Sequence, residues 1–139
     1  SAGVSEECLT VFEELKARKQ KYVIYKLQNY TEVVVDQAGT DPSYKKFVEI
    51  LDGIQDNGKP VPRYAVYDFE YALASGEGNR SKIAFIAWNP DNAKIKDKTT
   101  YASSRSALVN ALNGVSEVVQ ATDLDELAWD EVVGKVSGG

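Results

Sequence analysis

The sequence contains no histidine. That absence removes Ser/His and Cys/His nucleophilic pairs and the commonest metal ligand, and with them most hydrolase and metalloenzyme chemistry. It also leaves no histidine to supply a pH response near neutrality, since the other side chains titrate mostly elsewhere. Cys8 is the one cysteine, so no internal disulfide forms. A lone thiol suits a reducing compartment, and a cytoplasmic protein is expected. An excess of positive charge is missing too. Sixteen Lys and Arg stand against 21 Asp and Glu, a net charge of −5, which argues against generic nucleic-acid binding but leaves room for a local basic patch. No apolar run approaches the ~18 residues of a membrane span, and the acidic stretch Ser1–Glu7 has no apolar core of a targeting signal.

What is present fits an ordinary globular domain. A chain of 139 residues, 43% hydrophobic and 27% charged, is long enough to bury a core without disulfides. One domain over residues 1–139, acting as a monomer, is expected. Cys8, Leu9, Phe12 and Leu15 share one face of a first helix, with Ser5 placed to cap it. Tyr22–Leu27 and Thr31–Asp36 are β-branched and aromatic, and Gln28–Tyr30 between them predicts a hairpin. Asp41-Pro42 predicts the start of a second helix carrying Tyr44, Phe47, Val48 and Leu51. Residues 52–62 have loop chemistry. Tyr64–Tyr71 and Lys82–Trp88 flank a Gly-containing turn at Ser75–Asn79, a second hairpin. The second of these strands is nearly all apolar, which suits a central strand covered on both faces. A lysine-bearing connector, Lys94–Lys98, leads into a helix over Thr99–Leu112 closed by Asn113-Gly114. Val115–Thr122 predicts a last strand, and Trp129, Val132, Val133 and Val136 a short final helix. The fold class expected is α/β, a central mixed sheet sandwiched by helices.

Few residues suggest catalysis. Asp68 and Glu70 point to one face of a strand and offer two carboxylates, but such pairs more often serve as polar strand positions or partners for Lys and Arg. Gly76-Glu-Gly78 joins two strands and is therefore neither a phosphate loop nor a dinucleotide fingerprint. Cys8 on an apolar stripe behaves as a small hydrophobe, and Trp88 and Trp129 fall in apolar patterns that suit the core. No metal site is expected. The predicted third helix is more informative. Tyr101, Leu108 and Leu112 make its buried stripe, whereas Lys98, Ala102, Arg105 and Val109 line an adjoining face. That mixture fits either a partner surface or packing on a loop.

At this helix the sequence resembles a known family. Lys98-Thr-Thr-Tyr-Ala-Ser-Ser-Arg-Ser-Ala-Leu108 is similar to the ADF/cofilin motif Lys-Met-x-Tyr-Ala-Ser-Ser-Lys-Asp-x-Leu. Further segments resemble the family in the family's order: Arg63–Tyr71, Arg80–Ile83, Ala87–Lys96, Leu112–Val115 and Gln120–Asp123. The similarity runs from about residue 4 to 136. It implies an ADF-homology fold with five to six strands, and a protein that binds actin monomers and filament sides and promotes severing and depolymerisation without a cofactor. Relatives that only decorate filaments or hold monomers share the fold. The resemblance places monomer contacts at Val4, Ser5, Lys96, Lys98, Thr99, Arg105, Val109 and Asn110. It places filament-only contacts at Arg80, Lys82 and Lys135. It also implies inhibition by phosphoinositides and phosphorylation near the start of the chain, with Ser1 as the nearest candidate. Apart from the resemblance, the cationic cluster Lys94, Lys96, Lys98 and Arg105 leaves open a phosphoinositide-binding module as an alternative function. The sequence departs from the family at Thr99, where relatives carry Met, at Val109-Asn110, where many carry a basic pair, and at Gly134 and Gly138.

Overall fold

The computed structural model describes residues 2–73, 76 and 78–137. Ser1, Ser75, Glu77 and Gly138 of the positions named above lie outside them. The elements in chain order are β1 (Gly3–Val4), α1 (Glu6–Lys16), β2 (Tyr22–Gln28), β3 (Glu32–Gly39), α2 (Tyr44–Gly53), β4 (Gln55–Asp56), β5 (Lys59–Pro60), β6 (Arg63–Ala72), β7 (Asn79–Trp88), α3 (Ile95–Ala111), β8 (Glu117–Ala121), a 3₁₀ turn (Asp125–Leu127) and α4 (Trp129–Val136). Six strands form one mixed sheet in the order β1-β3-β2-β6-β7-β8. The two outer pairs, β1 with β3 and β7 with β8, are parallel, and the inner pairs are antiparallel. This is the helix-flanked mixed sheet that the sequence predicts.

Alternation along the strands sorts the core into two layers. On β6, Tyr64 and Val66 face α1 and α3 together with Phe12, Leu15, Tyr101 and Leu108. Ala65, Tyr67 and Phe69 face the opposite way, toward α2 and α4, with Phe47, Leu51, Val132 and Val136. The second layer is aromatic at its centre. Phe47 is fully buried, with ring centroids of Tyr67 at 4.8 Å, Tyr22 at 5.3 Å and Tyr44 at 5.7 Å, spacings at which aromatic pairs add to area burial.

Several boundaries differ from those the sequence suggests, each for a local reason. Helix α2 is capped not by Asp41 but by Ser43, whose hydroxyl accepts from Lys46 N–H, while the Asp41 carboxylate accepts from Ser43 N–H. Strands β1, β4 and β5 are two residues each, too short to show a period. Leu9 and Trp129 are surface residues, 41% and 39% exposed. Leu9 follows Cys8 directly, and on a helix the next residue is rotated by roughly 100° off the buried stripe. Trp129 opens α4 and stacks by its edge on Tyr44, 5.3 Å between centroids. The segment Lys94–Lys98 is not a connector: α3 begins at Ile95.

Ser5 holds the N-cap of α1, but its hydroxyl lies 3.4 Å from the Cys8 sulfur instead of capping a backbone N–H. The thiol donates to the Val33 carbonyl at 3.4 Å, and burial pushes its pKa up. A thiol that is buried and protonated is a poor nucleophile. Cys8 is therefore expected to react with a thiol reagent no faster than the protein opens, and at once in denaturant. Rapid stoichiometric labelling of the native protein would contradict this packing.

Candidate functional site: the outer face of α3

Helix α3 is fixed from beneath at several points. The Tyr101 hydroxyl accepts from Leu27 N–H at 2.9 Å, and the Tyr64 hydroxyl donates to the Tyr101 carbonyl. Asn89 donates from Nδ2 to the Lys98 carbonyl at 3.0 Å. A bulge supports the same region. Ile24 pairs with Gln37 but Tyr25 with Val35, which leaves Asp36 unpaired in the ladder, and its carboxylate holds Arg63 Nε at 3.1 Å. With this much anchoring, α3 presents a set face.

Winding the sequence at ~100° per residue separates three strips. Asp97, Tyr101, Ser104 and Leu108 point inward and are buried. Ile95, Thr99, Ala102, Ser106 and Asn110 fall within an arc of roughly 80° on the outside, and all are exposed. Lys98 and Arg105 flank that arc on one side, and Lys96 flanks it on the other. Ile95 is 82% exposed, far more than any other large apolar side chain in the described residues. Small side chains let a partner's backbone approach closely, and several of the hydroxyls nearby are already paired. Thr99 and Thr100 donate to the carbonyls of Ile95 and Lys96 at 2.8 and 2.7 Å, and Ser103 to that of Thr100 at 3.1 Å. Burying this face against a partner therefore orphans no donor at Thr99, whereas the Ser106 hydroxyl and the Asn110 amide stay free to bond the partner.

The residues singled out from sequence do not all meet here. Lys98, Thr99, Arg105 and Asn110 lie on or beside the outer arc. Val109 is half-buried and packs on the core layer beneath, so it is not the open contact that periodicity suggests, and added charge fits position 110 instead. Val4 lies in β1, the edge strand, which runs parallel to β3 and rests against α3; Ser5 follows it. The cationic cluster is divided: Lys94 pairs with Asp56 at 3.5 Å, Lys98 donates to the Asp91 carbonyl at 3.2 Å, and Lys96 stands across the helix from Lys98 and Arg105. Ile95 escaped the sequence reading because Lys94–Lys98 looked like a linker. The signal was an isolated apolar residue between two lysines, one turn before Thr99.

Beneath the helix is a cavity of about 170 Å³ whose lining includes Trp88, Asn89, Tyr101, Ala102 and Arg105. The Trp88 indole N–H and Asn89 Oδ1 are buried without a partner among the described residues.

Arg80, Lys82 and Lys135 form a separate group. On β7 the even-numbered residues Ala84, Ile86 and Trp88 face α2 and α4, so Arg80 and Lys82 project to that side as well. Lys82 donates to the Val136 carbonyl at 3.2 Å, at the C-terminal end of α4, where a cation suits the helix dipole; Lys135 is the preceding residue. The α3 face and this group thus occupy opposite faces of the sheet; the first turn of α3 lies at the Trp88 end of β7 and Arg80 and Lys82 toward its other end, while the C-terminal end of α3 comes back toward Ile83.

Asp68 and Glu70 behave as polar strand positions. Arg18 reaches Glu70 at 2.9 Å and Asp68 at 3.9 Å. Burial raises the Asp68 pKa, an effect that Lys21 and Arg18 partly offset. The described residues contain no cluster of His, Cys, Asp or Glu that suits a metal ion, and none of their helices is long and apolar enough to cross a membrane.

A mixed sheet between two pairs of helices, with a small-residue helix face flanked by cations, defines a binding domain of the ADF-homology class. The comparisons agree over the full length. The family model for cofilin/tropomyosin-type actin-binding proteins matches residues 1–137. Cofilin of Saccharomyces cerevisiae is 46% identical over 99% of this chain and 93% of its own. Among solved structures, the cofilin of Streptomyces griseoflavus superposes with a TM-score of 0.88 at 35% identity, covering 100% of this chain and 99% of that one. Actin depolymerization factor 2 of Plasmodium berghei gives 0.80 at 29%, covering 99% and 97%. The chain belongs to the ADF/cofilin family of actin-binding proteins.

Proposed function

We propose that this protein binds actin monomers and filament sides, docking through the outer face of α3 and the adjoining β1 segment, and that it promotes filament depolymerisation and severing in the cytoplasm. The exposed arc from Ile95 to Asn110 carries this reading, because it combines small side chains that allow close approach with cations on both flanks. Those cations steer encounter with an acidic partner surface and pair at its rim. Filament loss then follows from differential binding: a ligand that favours the free monomer or an altered filament twist shifts the polymer equilibrium by that preference alone. Arg80, Lys82 and Lys135 supply the filament-only contact.

The test is co-sedimentation with filamentous actin together with imaging of filament length. The protein is expected to pellet with filaments at micromolar concentration and to shorten them. Pelleting without shortening would indicate a decorating relative, and no pelleting would overturn the reading. A second reading, inhibition by phosphoinositides, draws support from Lys98 and Arg105 standing side by side. Headgroups held there compete with actin for the same cations.

A further inference from the structure

We propose that Tyr30, in the turn between β2 and β3, is a positioning residue for partner binding, fixing Lys96 and the first turn of α3 in the orientation that meets actin. This rests on the assignment of α3 as the docking face.

The first observation is backbone conformation. Asn29 and Tyr30 are the central residues of a turn closed by Thr31 N–H to the Gln28 carbonyl at 3.1 Å, with φ of 53° and 60°, left-handed values that turns prefer to build from Asn and Gly. Asn29 fits that preference, whereas a tyrosine in this region is uncommon and costly. The side chain does not repay the cost by packing, since it belongs to neither core layer and is 42% exposed. Such residues persist where their surroundings over-determine them, and they mark functional positions.

The second observation is what the side chain touches. The Tyr30 hydroxyl donates to Asp97 Oδ1 at 2.6 Å, and the Lys96 ammonium stands 4.3 Å from the centre of its ring. Asp97 is buried in the first turn of α3, where a carboxylate suits the helix N-terminus. One side chain thus holds two consecutive residues of the docking helix, one by a charge-assisted hydrogen bond and the other by a cation–π contact. Lys96 is the sole cation on its flank of the outer arc, and Ile95 is its neighbour in the chain. Loss of Tyr30 frees the Lys96 stem and loosens the turn that displays both.

This makes stability and affinity move apart, which a purely structural tyrosine would not do. Glycine suits φ of +60° better than tyrosine does, which offsets the loss of the hydrogen bond to the buried Asp97 carboxylate, so Tyr30→Gly is expected to move the thermal midpoint little, while weakening actin-monomer binding about 5- to 10-fold through loss of the cation–π contact and the hydrogen bond. Tyr30→Phe keeps the ring over Lys96 and is expected to lose less. In a Lys96→Ala background, Tyr30→Gly should add less than about a twofold loss, because coupled residues are not additive. Lys98→Ala with Arg105→Ala is measured alongside. If that pair weakens binding and Tyr30→Gly does not, Tyr30 does not position the helix and the docking face stands. If the pair leaves binding intact, the docking face itself is wrong and this proposal falls with it. A midpoint that drops together with the affinity, or an undiminished loss in the Lys96→Ala background, also overturns it.

Discussion

Lys98→Ala combined with Arg105→Ala is expected to weaken binding of actin monomers and filaments alike, by about 30- to 150-fold, if each lost contact is worth about 1–1.5 kcal/mol. Both side chains flank the exposed arc of α3, roughly 20° apart around the helix. Neither holds the fold: the Lys98 contact to the Asp91 carbonyl is at the surface, and Arg105 makes no ion pair with the described residues. The thermal midpoint should therefore move little. Because the lost interactions are electrostatic, the gap between the variant and the parent should shrink as salt rises. Arg80 and Lys135 provide the contrast, since replacing both by alanine should spare monomer binding and lower filament binding. Lys82 is the less suitable probe on that side. Its bond to the Val136 carbonyl ties β7 to α4, so its loss disturbs packing as well as charge. Titration of labelled monomeric actin at two salt concentrations checks the first variant. A monomer affinity lost as severely in the Arg80/Lys135 variant, with both proteins folded, would refute the two-surface arrangement.

Phe47→Ala should do the reverse. The ring is fully buried among Tyr22, Tyr44 and Tyr67, and its removal leaves a cavity in a layer that cannot readily collapse around it. A loss of about 3–5 kcal/mol is expected. Against a total of about 5–15 kcal/mol for a domain, that is a large fraction. Denaturant unfolding should show a lower midpoint with little change in slope. Phe47 lies on the α2 and α4 side of the sheet, away from α3. The molecules that remain folded should bind actin with nearly the parental affinity, a dissociation that equilibrium binding well below the unfolding temperature can detect. A Phe47→Ala protein as stable as its parent would mean that the aromatic layer is less tightly packed than these spacings imply.

Legibility from sequence followed the strength of periodic signals. Long amphipathic or apolar runs such as Tyr22–Leu27, Tyr64–Tyr71 and Lys82–Trp88 announce strands because each side chain has only two faces to choose between. Two-residue strands have no period to detect, and β1 passes unnoticed although it carries Val4 beside α3. Lysines also misled. Lys94-Ile-Lys-Asp-Lys98 has the composition of a linker, yet it is the cap and opening turn of α3, and the most exposed apolar side chain sits inside it. Val109 failed differently. Angular position alone put it next to Lys98 and Arg105, but half-burial depends on how deeply the helix beds on the sheet, which no single-helix projection contains. Tyr30 was out of reach for another reason. Its partners are 66 and 67 positions away, and its left-handed backbone is a property of the turn rather than of tyrosine.

The separation of the α3 face from the Arg80, Lys82 and Lys135 group has a mechanical side. Strands β6 and β7 are hydrogen-bonded in register over all ten residues, from Arg63 opposite Trp88 to Ala72 opposite Asn79, and they run from beneath the first turn of α3 toward Arg80 and Lys82. A bridge gripped at both ends by neighbouring subunits would gain avidity, because the second contact forms within one complex at a high effective concentration. It would also act as a gauge of fixed length. A doubly paired ladder resists stretching more than a subunit interface resists rotation, so in a protein bound at both groups any mismatch between the gauge and the spacing of the subunits would be taken up by the filament.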